Sequence, residues 1–266
     1  MKFSIVTISY NQARFIESAI KSVIQQRSNI NLEYIVVDAN STDSSIDIIK
    51  KYENQIDRFI SEPDLGPADG LNKGFSYATG DIWGYLNADD ILEPGALKRI
   101  EKYFSEFPQA DIIAGHCHII DQQGKKLQKC FSHYMTPLKY LRRHAVLIQQ
   151  STFFRRTIFE KVGGFNVNND IAWDGELIFE MLKNRAKLKI VNDILSSFRL
   201  HPDSISGKKS YSPKLDKFYL RLYEKNKFTK KNNLINYLFY ILHWLTQPSV
   251  LYQRLIDQLQ HPKRII

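Results

Sequence analysis

The sequence predicts an α/β fold in which a mixed, mainly parallel sheet carries helices on both faces and is followed by a basic helical tail. Short apolar runs alternate with helix-length amphipathic segments from the N-terminus to Asn87. Those runs are apolar almost throughout rather than every second residue, as strands buried on both faces are. The net charge of +9 is unevenly placed, which separates a neutral body from a basic end.

The elements follow in order. "FSIVTIS" (Phe3–Ser9) reads as a buried strand, and "ARFIESAIKSVIQQ" (Ala13–Gln26) spaces Phe15, Ile16, Ala19, Ile20, Val23 and Ile24 at helical intervals. "LEYIVVD" (Leu32–Asp38) is the second strand. A helix over Ser44–Tyr52 follows, with Ser41, Thr42 and Asp43 as capping candidates. "DRFISE" (Asp57–Glu62), a helix over Ala68–Tyr77 and "DIWGYLN" (Asp81–Asn87) complete a βαβαβαβ series. Pro94 suits the first turn of a helix reaching Phe107. "ADIIAGHCHIIDQQGKKL" then reads as a strand, a turn at Gln123–Gly124 and a returning strand. Helix is expected over Tyr134–Arg143. "STFFRRTIFEKVGGF" (Ser151–Phe165) gives a strand and a short helix stopped by Gly163–Gly164. A helix over Trp173–Asn184 precedes strands at Leu188–Val191 and Leu195–His201.

A chain of 266 residues can bury one sizeable core with an appendage. Cut at Gly207, residues 1–207 hold 25 Lys/Arg against 25 Asp/Glu, and residues 208–266 hold 12 against 3. The division predicts a domain over 1–207 and a basic, aromatic extension over 208–266. Such an extension suits nucleic-acid phosphates, an anionic membrane face or plain solvation. Its apolar run "LINYLFYILHWL" (Leu234–Leu245) is well short of the roughly 20 residues a spanning helix needs. It reads either as an interfacial helix with basic flanks or as a helix packed on the core or a partner. Cys117 and Cys130 form no CxxC pair, and the opening "MKFSIVTISYN" has no secretory pattern. The expected location is cytoplasmic, with peripheral contact at the inner membrane face through 208–266.

In an open parallel sheet, ligands bind at the carboxyl ends of the strands. Thr7, Ser9, Tyr10 and Asn11 leave the first strand there, and Asp38, Asn40, Ser41 and Asp43 leave the second. Glu62 and Asp64 leave the third, and Asn87, Asp89 and Asp90 the fourth. No GxGxxG follows the first strand and no GxxxxGK[ST] occurs, which excludes a dinucleotide fingerprint and a P-loop. Carboxylates cannot hold a diphosphate directly, but they hold Mg2+ or Mn2+ that does. Asp89, with Asp90 beside it, is therefore the metal candidate; the alternative is that the pair caps the helix after Pro94. The carboxylate rim opposes nucleic-acid binding by the core. "HCH" (His116–His118) is not read as a metal cluster, because strand alternation sends Cys117 to the face opposite both histidines.

Five segments in order, "TISYNQARFIESAIKSVIQQ", "EYIVVDANSTDSS", "SEPDLGPADGLNKGFSYATGDIWGYLNADD", "GGFNVNNDIAWDGELIFEML" and "FRLHPDSIS", resemble the signatures of the family 2 glycosyltransferases of the GT-A fold. The resemblance covers roughly residues 3–207. It implies a Rossmann-like GT-A domain that transfers a sugar, with inversion, from a nucleoside diphosphate donor (UDP being frequent) to a glycan or lipid-linked acceptor. By position, Thr7, Ser9 and Asn11 would line the nucleotide pocket and Asp38 would accept a hydrogen bond from the base. Asp64, Asp69, Asn72 and Lys73 would border the donor, together with Asn87, Ala88 and Asp89. Asp89 falls on the metal-binding aspartate of the DxD element, in which Asn87 replaces the usual first aspartate. His201 would reach the Mn2+ or Mg2+ or the diphosphate. Asp174 of "WDGE" would be the catalytic base, with Glu176 as the alternative carboxylate. Both also suit the first turn of a helix. Gln149, Gln150 and Ser151 would approach the acceptor. Asn87 equally fits a catalytically silent sugar-nucleotide or glycan-binding module.

Overall fold

Four strands, β1 (Lys2–Ser9), β2 (Asn31–Asp38), β3 (Arg58–Ser61) and β4 (Ile82–Asn87), pair in parallel in the order β3-β2-β1-β4. The structure is a computed structural model and describes residues 1–202, 204 and 211–226. The apolar run Leu234–Leu245 lies outside the described residues. The sheet continues from β4 through β8 (Thr152–Arg155), β6 (Ile112–Ile120), β9 (Leu188–Arg199) and β5 (Ile91–Leu92), with β7 (Lys126–Cys130) hydrogen-bonded to β6. Antiparallel pairs are confined to this second half, where β6 and β9 nevertheless run parallel.

Helices cover both faces, as the uniformly apolar strands require. On one face α1 (Ile16–Ile24), α2 (Ser45–Lys50) and α4 (Ala96–Glu106) bury Ile16, Ile20, Ile49, Leu97, Ile100 and Phe104 against Phe3, Ile5, Tyr34 and Val36. The other face carries α3 (Pro67–Ser76), α5 (Pro137–Leu141), α6 (Arg156–Val162), α7 (Trp173–Lys183) and α8 (Tyr211–Lys225). Leu71, Phe75, Phe159, Trp173 and Phe179 pack there on Val6, Ile35, Val37 and Tyr85. A Cβ on Gly74 would collide with Val6, so the lack of a side chain there lets α3 lie close on β1. The α8 segment joins this core through Phe218, Tyr219 and Leu222.

Three local expectations differ. The helix after Pro94 begins only at Ala96, because Gly95 takes a left-handed φ of 69° at its N-cap. The expected strands 188–191 and 195–201 are one strand, β9, and the irregularity between them is a register shift against Ala114–Cys117 of β6. The two-residue β5 is too short to leave a sequence signal. The histidines at 116 and 118 have separate partners: His116 Nδ1 accepts from Ser132 N (3.2 Å), and His118 meets Glu93 (3.3 Å).

Candidate active site

The strand register assembles the rim. Ser9 stands opposite Asp38 and Ile8 opposite Asn87, so the carboxyl ends of β1, β2 and β4 come level. The backbone after β4 is held there by Ala88 N donating to Ile8 O (3.1 Å). Two buried polar atoms at this level, Ser9 Oγ and Asn87 Oδ1, have no partner among the described residues. Buried polar atoms are normally satisfied, so these two mark where a ligand's groups are expected.

Much of the predicted nucleotide pocket is engaged in building its own loops. Asp38, fully buried, accepts from Ser41 N (2.6 Å) and Ser41 Oγ (2.7 Å). Asn11, at a left-handed φ of 52°, accepts from Thr42 N (2.8 Å), which ties the loop after β1 to that after β2. Asp64 accepts from Gly66 N (2.8 Å), and burial raises its pKa above the ordinary carboxylate value. Asp69 accepts from Leu65 N (3.0 Å) and pairs with Lys73 (3.3 Å), whose ammonium also donates to Pro63 O and meets Glu62. Two residues expected at the donor are elsewhere. Thr7 is fully buried under Tyr34, whose hydroxyl donates to its Oγ1 (3.0 Å), because it lies two residues inside the rim position Ser9 on a strand that is covered on both faces. Asn72 spends both amide atoms on Phe165, donating to its carbonyl (2.9 Å) and accepting from its N–H (2.9 Å), and so clips α3 to the loop after α6.

At the tip of β4, Asp89 Oδ2 lies 2.8 Å from His201 Nε2. The imidazole is 2% exposed, lies 4.9 Å from the Phe15 ring and has no partner at Nδ1 among the described residues. Arg199 braces this pair: its Nε donates to Asp89 O (2.8 Å) and its Nη1 to Asp121 O and Gln122 O (both 3.1 Å). Asp90 corrects the expectation of a second metal ligand. It is fully buried, its Oδ1 accepts from Arg199 N (3.0 Å) and its Oδ2 is unpaired among the described residues. Burial, then the charge of Asp89, pushes its pKa well above the ordinary value. The neighbouring carboxylates thus divide, one at the rim and one in the core.

Asp89 and His201 fit a hard divalent cation, for which a carboxylate oxygen and an imidazole nitrogen are suitable donors. Among the described residues no three His, Cys, Asp or Glu side chains converge, so substrate phosphates and water would complete the coordination.

The carboxyl expected from the sequence as base, Asp174, lies on the other side of Asn87. Asn87 Nδ2 donates to Gln149 Oε1 (3.2 Å), and Gln149 Nε2 donates to Tyr85 O (3.1 Å). Gln149 and Tyr85 line a small recess with Met135, Leu147 and Asp174. The half-buried Asp174 carboxyl has its pKa raised by burial, partly offset by the N–H groups of Gly175 and Asp174 in the first turn of α7. A Cβ at Gly175 would strike the Tyr140 hydroxyl, so this turn can seat only on glycine. Glu176 is not a rival base in this recess. It lies on the far side of the turn, buried, with Oε2 accepting from Asn169 Nδ2 (2.8 Å) and Asn166 Nδ2 (3.1 Å). Ser151 is sealed between His116 O and Ser196 Oγ, and Gln150 is buried with Nε2 unpaired among the described residues.

The roles of Arg199 and Tyr85 were not read from the sequence, although the signal was there. Each stands two residues before a rim residue, His201 and Asn87, and a strand period of two places such pairs on one face.

The sequence pattern of Glycosyl transferase family 2 matches residues 4–163. An uncharacterized glycosyltransferase of Nostoc sp. is 30% identical over 213 residues, covering 76% of this chain and 65% of that one. The chain thus spans about two thirds of the length of the curated relatives it first matches. Among solved structures, Staphylococcus aureus TarS 1-349 in complex with UDP-GlcNAc is similar, with TM-score 0.64, 15% identity, and coverage of 89% of this chain and 69% of that one. The mannosyltransferase PcManGT of Pyrobaculum calidifontis, in complex with GDP-Man and Mn2+, gives TM-score 0.62 at 18% identity, with 92% and 69% coverage. These likenesses establish the GT-A fold.

Proposed function

This chain belongs to glycosyl transferase family 2, and we propose from this premise that it transfers a sugar, with inversion, from a nucleoside diphosphate donor to a hydroxyl of a glycan or lipid-linked acceptor. The observation that carries the reading is the hydrogen bond from Asn87 to Gln149, which joins the strand end bearing the Asp89–His201 pair to the recess that Gln149 lines with Asp174. Ser9 Oγ and Asn87 Oδ1 offer unpaired acceptors to ribose or sugar hydroxyls. Asp38 would face the base. Asp174 takes the acceptor hydroxyl's proton as that oxygen attacks the anomeric carbon opposite the diphosphate. Asp89 and His201 would hold Mn2+ or Mg2+, which when bound supplies neutralising charge to the departing diphosphate. Gln149 orients the Asn87 amide between the two halves.

UDP is the favoured nucleotide because TarS is solved with UDP and with UDP-GlcNAc; the GDP-Man complex of PcManGT keeps GDP as the competitor. The setting is cell-surface polysaccharide or glycoconjugate synthesis in the cytoplasm. The change in charge falls near residue 207, although α8 beyond it packs on the core through Phe218, Tyr219 and Leu222, and the proposed contact with the inner membrane face is through the basic segment 208–266. No helix among the described residues is long and apolar enough to cross a membrane. Titration of UDP into the protein with and without Mn2+ tests the reading: metal-dependent binding that Asp89→Ala removes supports it, and metal-indifferent binding refutes it. Binding without turnover across an acceptor panel would instead favour a silent binding module.

A further inference from the structure

A second and larger cavity, of about 320 Å³, opens between α8, the 166–171 loop and the first turn of α7. One wall is strongly basic. Lys214, Lys217, Arg221 and Lys225 recur at helical spacing along α8 and all line it. Unrelieved like charges three and four residues apart weaken a helix. Only one of the four forms an ion pair among the described residues: Lys214 Nζ lies 2.8 Å from Asp170 and is the main cause that lowers the Asp170 pKa, with a smaller contribution from the more distant Arg221. Of the two acids on α8, Asp216 is engaged by Arg143 at 2.6 Å, and Glu224 is exposed and does not line the cavity. The cavity's other carboxylate, Glu176, is already held by the amides of Asn166 and Asn169. The chain past α8 offers little to neutralise them, since residues 227–266 hold six Lys/Arg and one Asp/Glu.

The position relative to the chemistry is informative. Residues two apart in a helix do not share a face, so the single turn Asp174–Glu176 sends Asp174 to the catalytic recess and Glu176 to this cavity. An acceptor whose hydroxyl sits at Asp174 therefore has the basic cavity on the other side of the same helical turn. We propose that the cavity binds a phosphate group of the acceptor, using Lys217, Arg221 and Lys225; the inference rests on the glycosyltransferase reading for the word acceptor, not for the anion site itself. Arg and Lys on one face supply the charge-assisted hydrogen bonds that phosphate oxygens accept.

The test titrates the full chain, with UDP present to occupy the donor site, with geranyl phosphate for a lipid-borne phosphate and glycerol 3-phosphate for a water-soluble ester. Saturable binding of either is expected, weakened about tenfold or more in the doubly substituted Lys217→Glu, Arg221→Glu protein. Arg221→Lys should retain most of it. UDP binding should not change in either variant, which also shows that both are folded. Preference for geranyl phosphate assigns a lipid-linked acceptor, and equal binding assigns a soluble one. Wild-type protein that binds UDP but neither phosphate, or a double variant that binds both undiminished, overturns the inference and leaves the transferase reading intact. Phosphate binding lost with the two charges in a protein that binds no UDP would support the site and refute that reading instead.

Discussion

His201 Nε2 reaches Asp89 Oδ2 at 2.8 Å across 112 residues of chain, joining the end of β9 to the tip of β4. The bond uses the two atoms, Asp89 Oδ2 and His201 Nε2, through which the proposal would have these side chains hold a cation. Asp89→Ala is expected to abolish Mn2+-dependent UDP binding. His201→Ala should lower kcat/KM by roughly a hundredfold, the scale of losing one preorganised group that stabilises developing charge. Calorimetry for the first and initial rates for the second decide; a His201→Ala enzyme of wild-type rate would separate the histidine from the metal.

Asp174 should govern the acid limb of the pH–rate profile. A base works ionised, so kcat/KM rises with pH through its pKa. Burial places that pKa above the ordinary aspartate value of about 3.9. Asp174→Asn should lose about 10²–10⁴ in kcat together with that limb. Glu176→Gln should keep the limb. An acid limb that survives Asp174→Asn assigns the base elsewhere.

Asp90 predicts an opposite pH signature, in stability. Its folded pKa is raised, so its contribution is fully present below the unfolded pKa and is lost as pH rises through the folded one. Wild-type protein should therefore lose thermal stability as pH climbs above the ordinary aspartate range, and Asp90→Asn should flatten that decline while keeping UDP binding. Melting curves across pH read both effects; parallel curves for the two proteins would refute the assignment.

Asn72→Ala tests a structural assignment against a donor-binding one. Losing the two hydrogen bonds to Phe165 should cost about 1–3 kcal/mol of stability. UDP affinity should change little. A drop in affinity at unchanged melting temperature would return Asn72 to the donor site.

Arg199→Lys should cut activity more than stability. Lysine keeps the charge but not the fork that reaches Asp89 O, Asp121 O and Gln122 O together. The expected signature is a lowered kcat with a UDP affinity weakened only in the presence of Mn2+; metal-independent weakening would point to a general loosening of the fold.

The fold was legible because uniformly apolar strands and amphipathic helices leave local patterns, and the expected helices Ala13–Gln26 and Trp173–Asn184 are found as Ile16–Ile24 and Trp173–Lys183. What sequence could not resolve was direction. Asp89 and Asp90 are adjacent and chemically identical, and only the pairing of β9 with its neighbours decides that one faces the rim and the other Arg199 N. Thr7 was legible in kind but misplaced, because a strand covered on both faces does not mark where its rim begins. Asn72 looks like any polar residue on an exposed helix until the loop after α6 closes over it.

The junction of β4 with β9 also bears on how the protein comes into being. During synthesis β1 to β4 leave the ribosome early, and Asp89 just behind them, whereas Arg199 and His201 emerge only with the end of β9, the last strand of the sheet. Until then the aspartate stands without its imidazole and without the guanidinium that fixes its peptide. A nascent or proteolytically shortened chain can therefore own most of the sheet and still lack the assembled junction.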